Sequence, residues 1–358
     1  MDGVGDDPLV RTLAVLGATG AVGGRFVEIV AGEGRAPIRA LVHRWWHTAR
    51  VVRFPVELRP SPAADAAAWA QALDGCGAAV SFVDGPEADG ALAEALVDGC
   101  ARAGLDRLVH LGCLGSFGAV TEGLLDEDID PARPSDAVAA RRWEFERSLL
   151  RAGASVGLEV MVVTSSLIYG PFTEQGAHVP RDQVEQGRVA LARSGGPCHL
   201  IYVDDVIEAV WAAVSLAQPV HGRIFVSGPE PLTWPAFFGA FESIVGRPGV
   251  AVLDDGDLAA LMKVDVDQLA ELRWPPPVTG PRVVAAIQRR TVRRGAVAPE
   301  RRRLVLPAPE ELAARAARVE VPLDRATAVL GWKPTVDFAE GMRRTSAYLR
   351  WADPRERS

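Results

Sequence analysis

Short apolar runs alternate with longer stretches of helical periodicity over the first two-thirds of the chain. Thr12–Leu16, Ile38–Val42, Val51–Leu58, Ala78–Val83, Leu105–Leu111 and Leu158–Val163 are rich in Val, Leu and Ala and read as buried parallel strands. Between them, Phe26, Val27 and Val30 mark a first helix, and Ala63–Leu73, Ala88–Ala103 and Ser135–Ala152 carry the same period, the last ending at Gly153. Asp204-Asp205 opens a further helix to Leu216, with an N-capping role expected for the acids, and His221–Gly228 reads as a last strand and turn. Helical patterns dominate from Trp234 onward, broken by Pro-rich points at Trp274–Pro277 and near Pro307. Strand and helix in alternation predict an α/β fold with a doubly wound parallel sheet, followed by a smaller, mostly helical C-terminal domain. The expected boundaries give residues 1–170 to the sheet domain, with 199–228 returning to it. Residues 171–198 and 229–358 are expected to form the second domain.

The stretch Thr12–Val30 carries the most chemistry. Its strand breaks at Gly17-Ala18-Thr19-Gly20-Ala21-Val22-Gly23 and a helix follows. Strand, glycine turn and helix in that order bring free backbone N–H groups and the positive end of a helix dipole to one point, which suits a pyrophosphate. Gly17 and Gly20 permit the tight turn and close approach of a phosphate, and Gly23 lets the helix pack on the strand. A Rossmann-type dinucleotide site is therefore expected, lined by Gly17, Thr19, Gly20, Ala21, Val22 and Gly23. The second strand runs into His43 and Arg44 with no acidic residue, where Asp or Glu would favour the 2′-hydroxyl of NAD and an Arg accommodates a 2′-phosphate. NADP is the expected cofactor, with NAD as the alternative. Val83, Ser165 and Leu167 complete the set expected to face it.

Composition narrows the class without changing it. At 358 residues and 48% hydrophobic, the chain can bury a large core. A formal charge of −7 gives no global attraction to nucleic acid or an anionic membrane. No apolar run approaches the roughly 18 residues needed to span a bilayer, and the acidic start lacks the form of a signal peptide. Cys76, Cys100, Cys113 and Cys198 are unclustered, so neither a disulfide nor a metal site is expected. These features predict a soluble cytoplasmic protein. Lysine is nearly absent, Lys263 and Lys333 being the only two.

Collinear with the glycine turn are VHLGCLGSFG (109–118), IYGP (168–171), IYVDDVIEAVWAAV (201–214), GRIFVSGPEPLTWPAFFGAFESIVGRP (222–248) and LGWKPTVDFAEGMRRT (330–345). In this order they resemble the extended short-chain dehydrogenases/reductases of the NAD-dependent epimerase/dehydratase family, with an unassigned longer piece from about Leu253 to Val319. The resemblance implies a domain holding NAD(P) and a smaller domain closing over the substrate, often a nucleotide-linked sugar. It also implies a homodimer through the helices Ala88–Ala103 and Ser135–Ala152.

The departures are as informative. Such enzymes move a proton with a Ser or Thr and a Tyr-x-x-x-Lys on the next helix. Alignment through Glu146 puts Val138 at the Tyr position, Arg142 at the Lys position and Cys113 at the Ser/Thr position. The three tyrosines, 169, 202 and 348, are followed four residues later by Thr173, Val206 and Ala352, so the pair exists nowhere. Arg142 can still hold the nicotinamide ribose, although its pKa is too high for proton exchange. Cys113 offers a weak donor or, beside a cation, a thiolate. Tyr169, at a strand's carboxyl end, is the expected substitute acid/base, with Glu122, Asp126, Glu127, Asp128, His178 and His199 as further candidates. His110, inside an apolar strand, reads as a core residue. Arg289, Arg290, Arg293, Arg294 and Arg301–Arg303 crowd one stretch that suits phosphate or an exposed helix. Three functions are compatible with this pattern: an NAD(P)-dependent oxidoreductase or epimerase with a replaced acid/base, a non-redox enzyme on the same scaffold, and a non-catalytic NAD(P)-binding sensor.

Overall fold

The computed structural model describes residues 11–117, 120, 122–134, 136–187, 189–261 and 315–353. Seven parallel strands form one sheet in the order β12-β7-β5-β4-β1-β2-β3. Their ranges are β1 (Thr12–Leu16), β2 (Ile38–Val42), β3 (Val56–Pro60), β4 (Cys76–Ser81), β5 (Arg107–Cys113), β7 (Glu159–Ser165) and β12 (Gly222–Val226). Strand order reverses at β1 and β4, which are hydrogen-bonded neighbours with Leu16 opposite Ser81. Both faces of the sheet are covered. Leu13 and Val15 join a core with α1 (Ala21–Gly32) and α6 (Val203–Val214), while Ala14 and Leu16 join a core with α2 (Ala66–Leu73), α3 (Gly90–Arg102) and α4 (Ala137–Val156). That strict alternation within an all-apolar strand is what burial on two faces requires.

Several expected boundaries shift by two or three residues, and two moves have a clear packing reason. The run from Val51 is not a strand: Trp45–Arg50 forms a 3₁₀ turn after β2, and Val51 is buried in the α1-side core instead of pairing with β2. Only from Val56 does the chain pair with Ile38. The helix expected to stop at Gly153 runs to Val156 and is capped by Gly157 in the left-handed region, φ 72°. Gly153 is buried where a methyl group would stand 2.3 Å from Val160 Cγ2, so its lack of a side chain serves packing of α4 on β7.

The remaining described elements build a second cluster beside the sheet's carboxyl edge. Short strand pairs join β8 (Leu167–Tyr169) to β11 (Leu200–Tyr202), β9 (Val189–Ala192) to β14 (Val250–Leu253), β10 (Pro197–Cys198) to β13 (Leu232–Thr233), and β6 (Glu122–Leu124) to β15 (Arg318–Glu320). Helices α5 (Val179–Glu185), α7 (Trp234–Val245) and α8 (Asp255–Leu261) add to it, α9 (Asp324–Leu330) packs Ala326 and Leu330 into the α1/α6-side core of the sheet, and α10 (Phe338–Ala352) completes the second cluster. Phe237, Phe238 and Phe241 of α7 pack with Tyr169, Tyr202 and Leu349 in its core. The Arg-rich stretch 289–303 and most of the unassigned piece from Leu253 lie outside the described residues.

Candidate functional site

The glycine turn takes the form that its residues predict. Gly17 has φ +72°, and a methyl group there would stand 2.9 Å from the Phe82 carbonyl oxygen. A methyl on Gly23 would stand 2.3 Å from the Gly17 carbonyl oxygen, so the helix can meet the turn only through glycine. The N-cap of α1 is Gly20, with no side-chain cap and no acid in the first turn, whereas α2, α3 and α4 are capped by Asp65, Asp89 and Asp136. The first N–H groups of α1 therefore keep their hydrogen-bonding capacity for an anion. Thr19, Ala21 and Val22 flank this point and are partly exposed, and His43 and Arg44 are exposed beyond β2. With these residues at the reversal of strand order, the arrangement fits an NAD-type dinucleotide.

The carboxyl ends of β4 and β5 supply the next groups. Arg142, on α4, grips Asp84 with a planar fork: Nε donates to Oδ1, and Nη2 to Oδ2 at 2.7 Å. That carboxylate raises the Arg142 pKa further, its hydrogen bonds being the largest cause. Val138, one turn earlier, is 43% exposed and offers no proton. Cys113 ends β5 opposite Ser165 and is half-buried. Burial pushes its thiol pKa up despite the opposing Arg142 charge, so the neutral thiol dominates at pH 7. Beneath it, Glu146 accepts a hydrogen bond from Ser116 Oγ at 2.6 Å and lies 3.4 Å from Arg223, its own pKa raised by burial.

The other expected site residues are engaged in packing or in hydrogen bonds of the fold. Tyr169 is 2% exposed, its hydroxyl donating to the Asp337 carbonyl at 3.4 Å and its ring set against Tyr202 and Phe338. Burial pushes its pKa well up, and the ring is part of the second cluster's core. Ser165 is buried and donates to the Gly112 carbonyl; Val83 and Leu167 pack against the cores. Glu127 accepts from the Phe225 N–H, His178 meets the Tyr348 hydroxyl and His199 meets the Val319 carbonyl, so these three are engaged in holding segments together. His110 is a satisfied core histidine, its Nδ1 3.1 Å from the Ser81 carbonyl. Among the described residues no His, Cys, Asp and Glu group is arranged to hold a metal ion, and no helix is long and apolar enough to cross a membrane.

Residues 13–228 match the family model described as NAD dependent epimerase/dehydratase family. The chain belongs to that family. No curated protein matches it. Among solved structures, DesIV, a dTDP-glucose 4,6-dehydratase from Streptomyces venezuelae with NAD bound, superposes with a TM-score of 0.68 at 17% identity, over 95% of this chain and 97% of that one. UDP-glucuronic acid 4-epimerase from Bacillus cereus with NAD gives 0.68 at 13% identity, over 96% and 97%. MoeE5 with UDP-glucose and NAD gives 0.63 at 15%, over 95% and 99%. At these identities the likeness is one of fold. Within an epimerase/dehydratase fold, the sequence reading did not single out Asp84. Its place one residue beyond Val83 was visible, but nothing in the sequence pairs it with Arg142, 58 positions later.

Proposed function

We propose that this epimerase/dehydratase-family enzyme binds NADP in preference to NAD and works on a nucleotide-linked sugar or a related small molecule. The observation that carries the cofactor choice is the exposed Arg44 at the end of β2, where no carboxylate stands to claim a ribose 2′-hydroxyl. The chemistry that such a cofactor supplies is hydride exchange with a substrate carbon. Around it, Gly20 to Val22 hold the pyrophosphate, Arg142 holds a ribose, and the protonated Cys113 thiol donates a weak hydrogen bond to the substrate oxygen. The sheet up to residue 170 with the returning 199–228 segment is the cofactor domain, and residues 171–198 and 229–358 meet the substrate. Titration calorimetry with both cofactors tests the reading: NADP binds more tightly, and Arg44→Ala removes about ten-fold of that advantage while leaving NAD unchanged, the loss of one charge-assisted contact. Binding of neither cofactor, or tighter NAD binding indifferent to Arg44, overturns it.

A second reading has an observation of its own. The Arg142 charge is shared with Asp84 and Val138 faces solvent, so the site lacks a cation-tuned acid for proton transfer. A non-redox enzyme or a dinucleotide sensor fits that electrostatic balance. Its mark is tight cofactor binding with no change in nicotinamide absorbance during a single turnover.

A further inference from the structure

We infer that Asp84 reads a ribose diol as one unit with Arg142, a deepening that rests on the dinucleotide reading above. Three observations place the pair on the cofactor's path. The chain beyond β4 lies directly beside the glycine turn: Phe82 N donates to the Leu16 carbonyl at 3.0 Å, and the Phe82 carbonyl blocks any side chain at Gly17. Asp84 follows two residues later. Strand order then runs from β1 through β4 to β5, so a dinucleotide with its pyrophosphate on α1 and one half over β2 carries its other half across the end of β4 towards Cys113.

The pair also has the chemistry of a diol site. Arg142 commits Nε and Nη2 to the carboxylate, while Nη1 makes no hydrogen bond among the described residues. The Asp84 side chain is 55% exposed, so each oxygen keeps a lone pair open to solvent. A carboxylate acceptor and a guanidinium donor held side by side match two vicinal hydroxyls, one donating and one accepting. Fork geometry fixes both groups before anything binds, whereas a lysine at position 142 would offer a point charge without that planar match. A bare surface ion pair would leave the same contacts but read no ligand.

Calorimetry with ADP and ADP-ribose separates these cases without a substrate. The two probes share the adenosine and pyrophosphate, and both lack a 2′-phosphate; they differ by the second ribose and by the one ionisable phosphate oxygen that its ester occupies, a difference that cancels when each variant is compared with the unaltered chain. The expected result is that Asp84→Ala and Arg142→Ala each weaken ADP-ribose about ten-fold or more while ADP changes less than about two-fold, as for loss of hydrogen bonds to a charged group. Asp84→Asn, which keeps one acceptor, falls between. Unchanged ADP-ribose affinity in all three variants, or equal loss for both probes, overturns the inference while ADP binding by the unaltered chain preserves the dinucleotide reading. Binding of neither probe by the unaltered chain overturns both.

Discussion

At the scale of single residues, the site combines groups whose protonation is settled by burial with groups held by ion pairs. His110 illustrates the first. Desolvation within the sheet lowers its pKa to about 4 from the usual 6.5, outweighing the charge of Asp84 and the hydrogen bond that the ring donates to the Ser81 carbonyl. The folded state then binds fewer protons than the unfolded state between those values, so stability contributed by neutral His110 is complete above pH 6.5 and is lost as pH falls towards 4. The loss is about 3 kcal/mol by the conversion of 1.36 kcal/mol per unit. Urea titrations at pH 7 and pH 4.5 should show a larger drop for the native chain than for His110→Gln; equal drops refute the assignment. The core role of His110 was legible because a lone polar residue in an apolar run has few alternatives. For Tyr169 a strand's carboxyl end was legible, but the ring's surroundings depend on Phe338 and Gly341, which arrive from a helix far along the chain.

At the scale of elements, the apolar runs located β1 and β2 to the residue, because strands buried on both faces are mainly apolar; the one charge inside β2, Arg39, is paired with Glu57. Ends set by long-range packing were less legible. Gly153 resembles a helix stop in sequence, yet it lies inside α4 pressed on Val160 and the Leu158 carbonyl. Gly153→Ala gains the roughly 1 kcal/mol helix preference of alanine but drives a methyl into a 2.3 Å gap. Overpacking of that kind costs about 1–3 kcal/mol, so a lowered thermal midpoint is expected, and a raised one would show that α4 shifts freely. The same helix bears on assembly. Its outward positions Glu144, Arg147 and Arg151 are exposed, and Arg151 pairs with Glu94 of α3. The apolar residues of both helices, Leu92, Leu96, Phe145 and Leu149, are spent inside the chain's own core. The two-fold pairing implied by the family resemblance would therefore be made through charged surfaces.

At the scale of the whole molecule, the sheet and the second cluster are fastened at the start of α6. The acids Asp204-Asp205 read in sequence as an N-cap, but Tyr202 occupies that position and no side chain caps the helix. Asp204 instead receives Arg25 of α1 at 2.7 Å, with Arg344 of α10 at 3.5 Å, and Asp205 binds Thr335 N, Thr335 Oγ1 and Val336 N at 2.8–3.0 Å. Arg50 adds a second fastening, donating to the Ala21 carbonyl at 3.0 Å while its guanidinium lies 3.9 Å over the Phe172 ring. Helix α1, which opens at the glycine turn, is thus linked to the second cluster through Asp204 and Arg50. Sequence could mark these acids as unusual but not name partners some 130 positions away. Removing one fastening should therefore be felt in two places. Asp205→Ala leaves the N–H of buried Val336, and the N–H and hydroxyl of exposed Thr335, without their acceptor, a loss of about 1–3 kcal/mol set mainly by the one buried group. The segment 315–345 should loosen first, since those contacts anchor it. Tryptic cleavage at Arg325, measured under native conditions, should accelerate at least about ten-fold over the unaltered chain, as the local opening free energy falls. Affinity for ADP at the glycine turn should fall less than about three-fold, because Arg25 keeps its grip on Asp204. Unchanged cleavage would mean that the 335–336 segment is held elsewhere, and a collapse of ADP binding would mean that the fastening and the glycine turn move as one body.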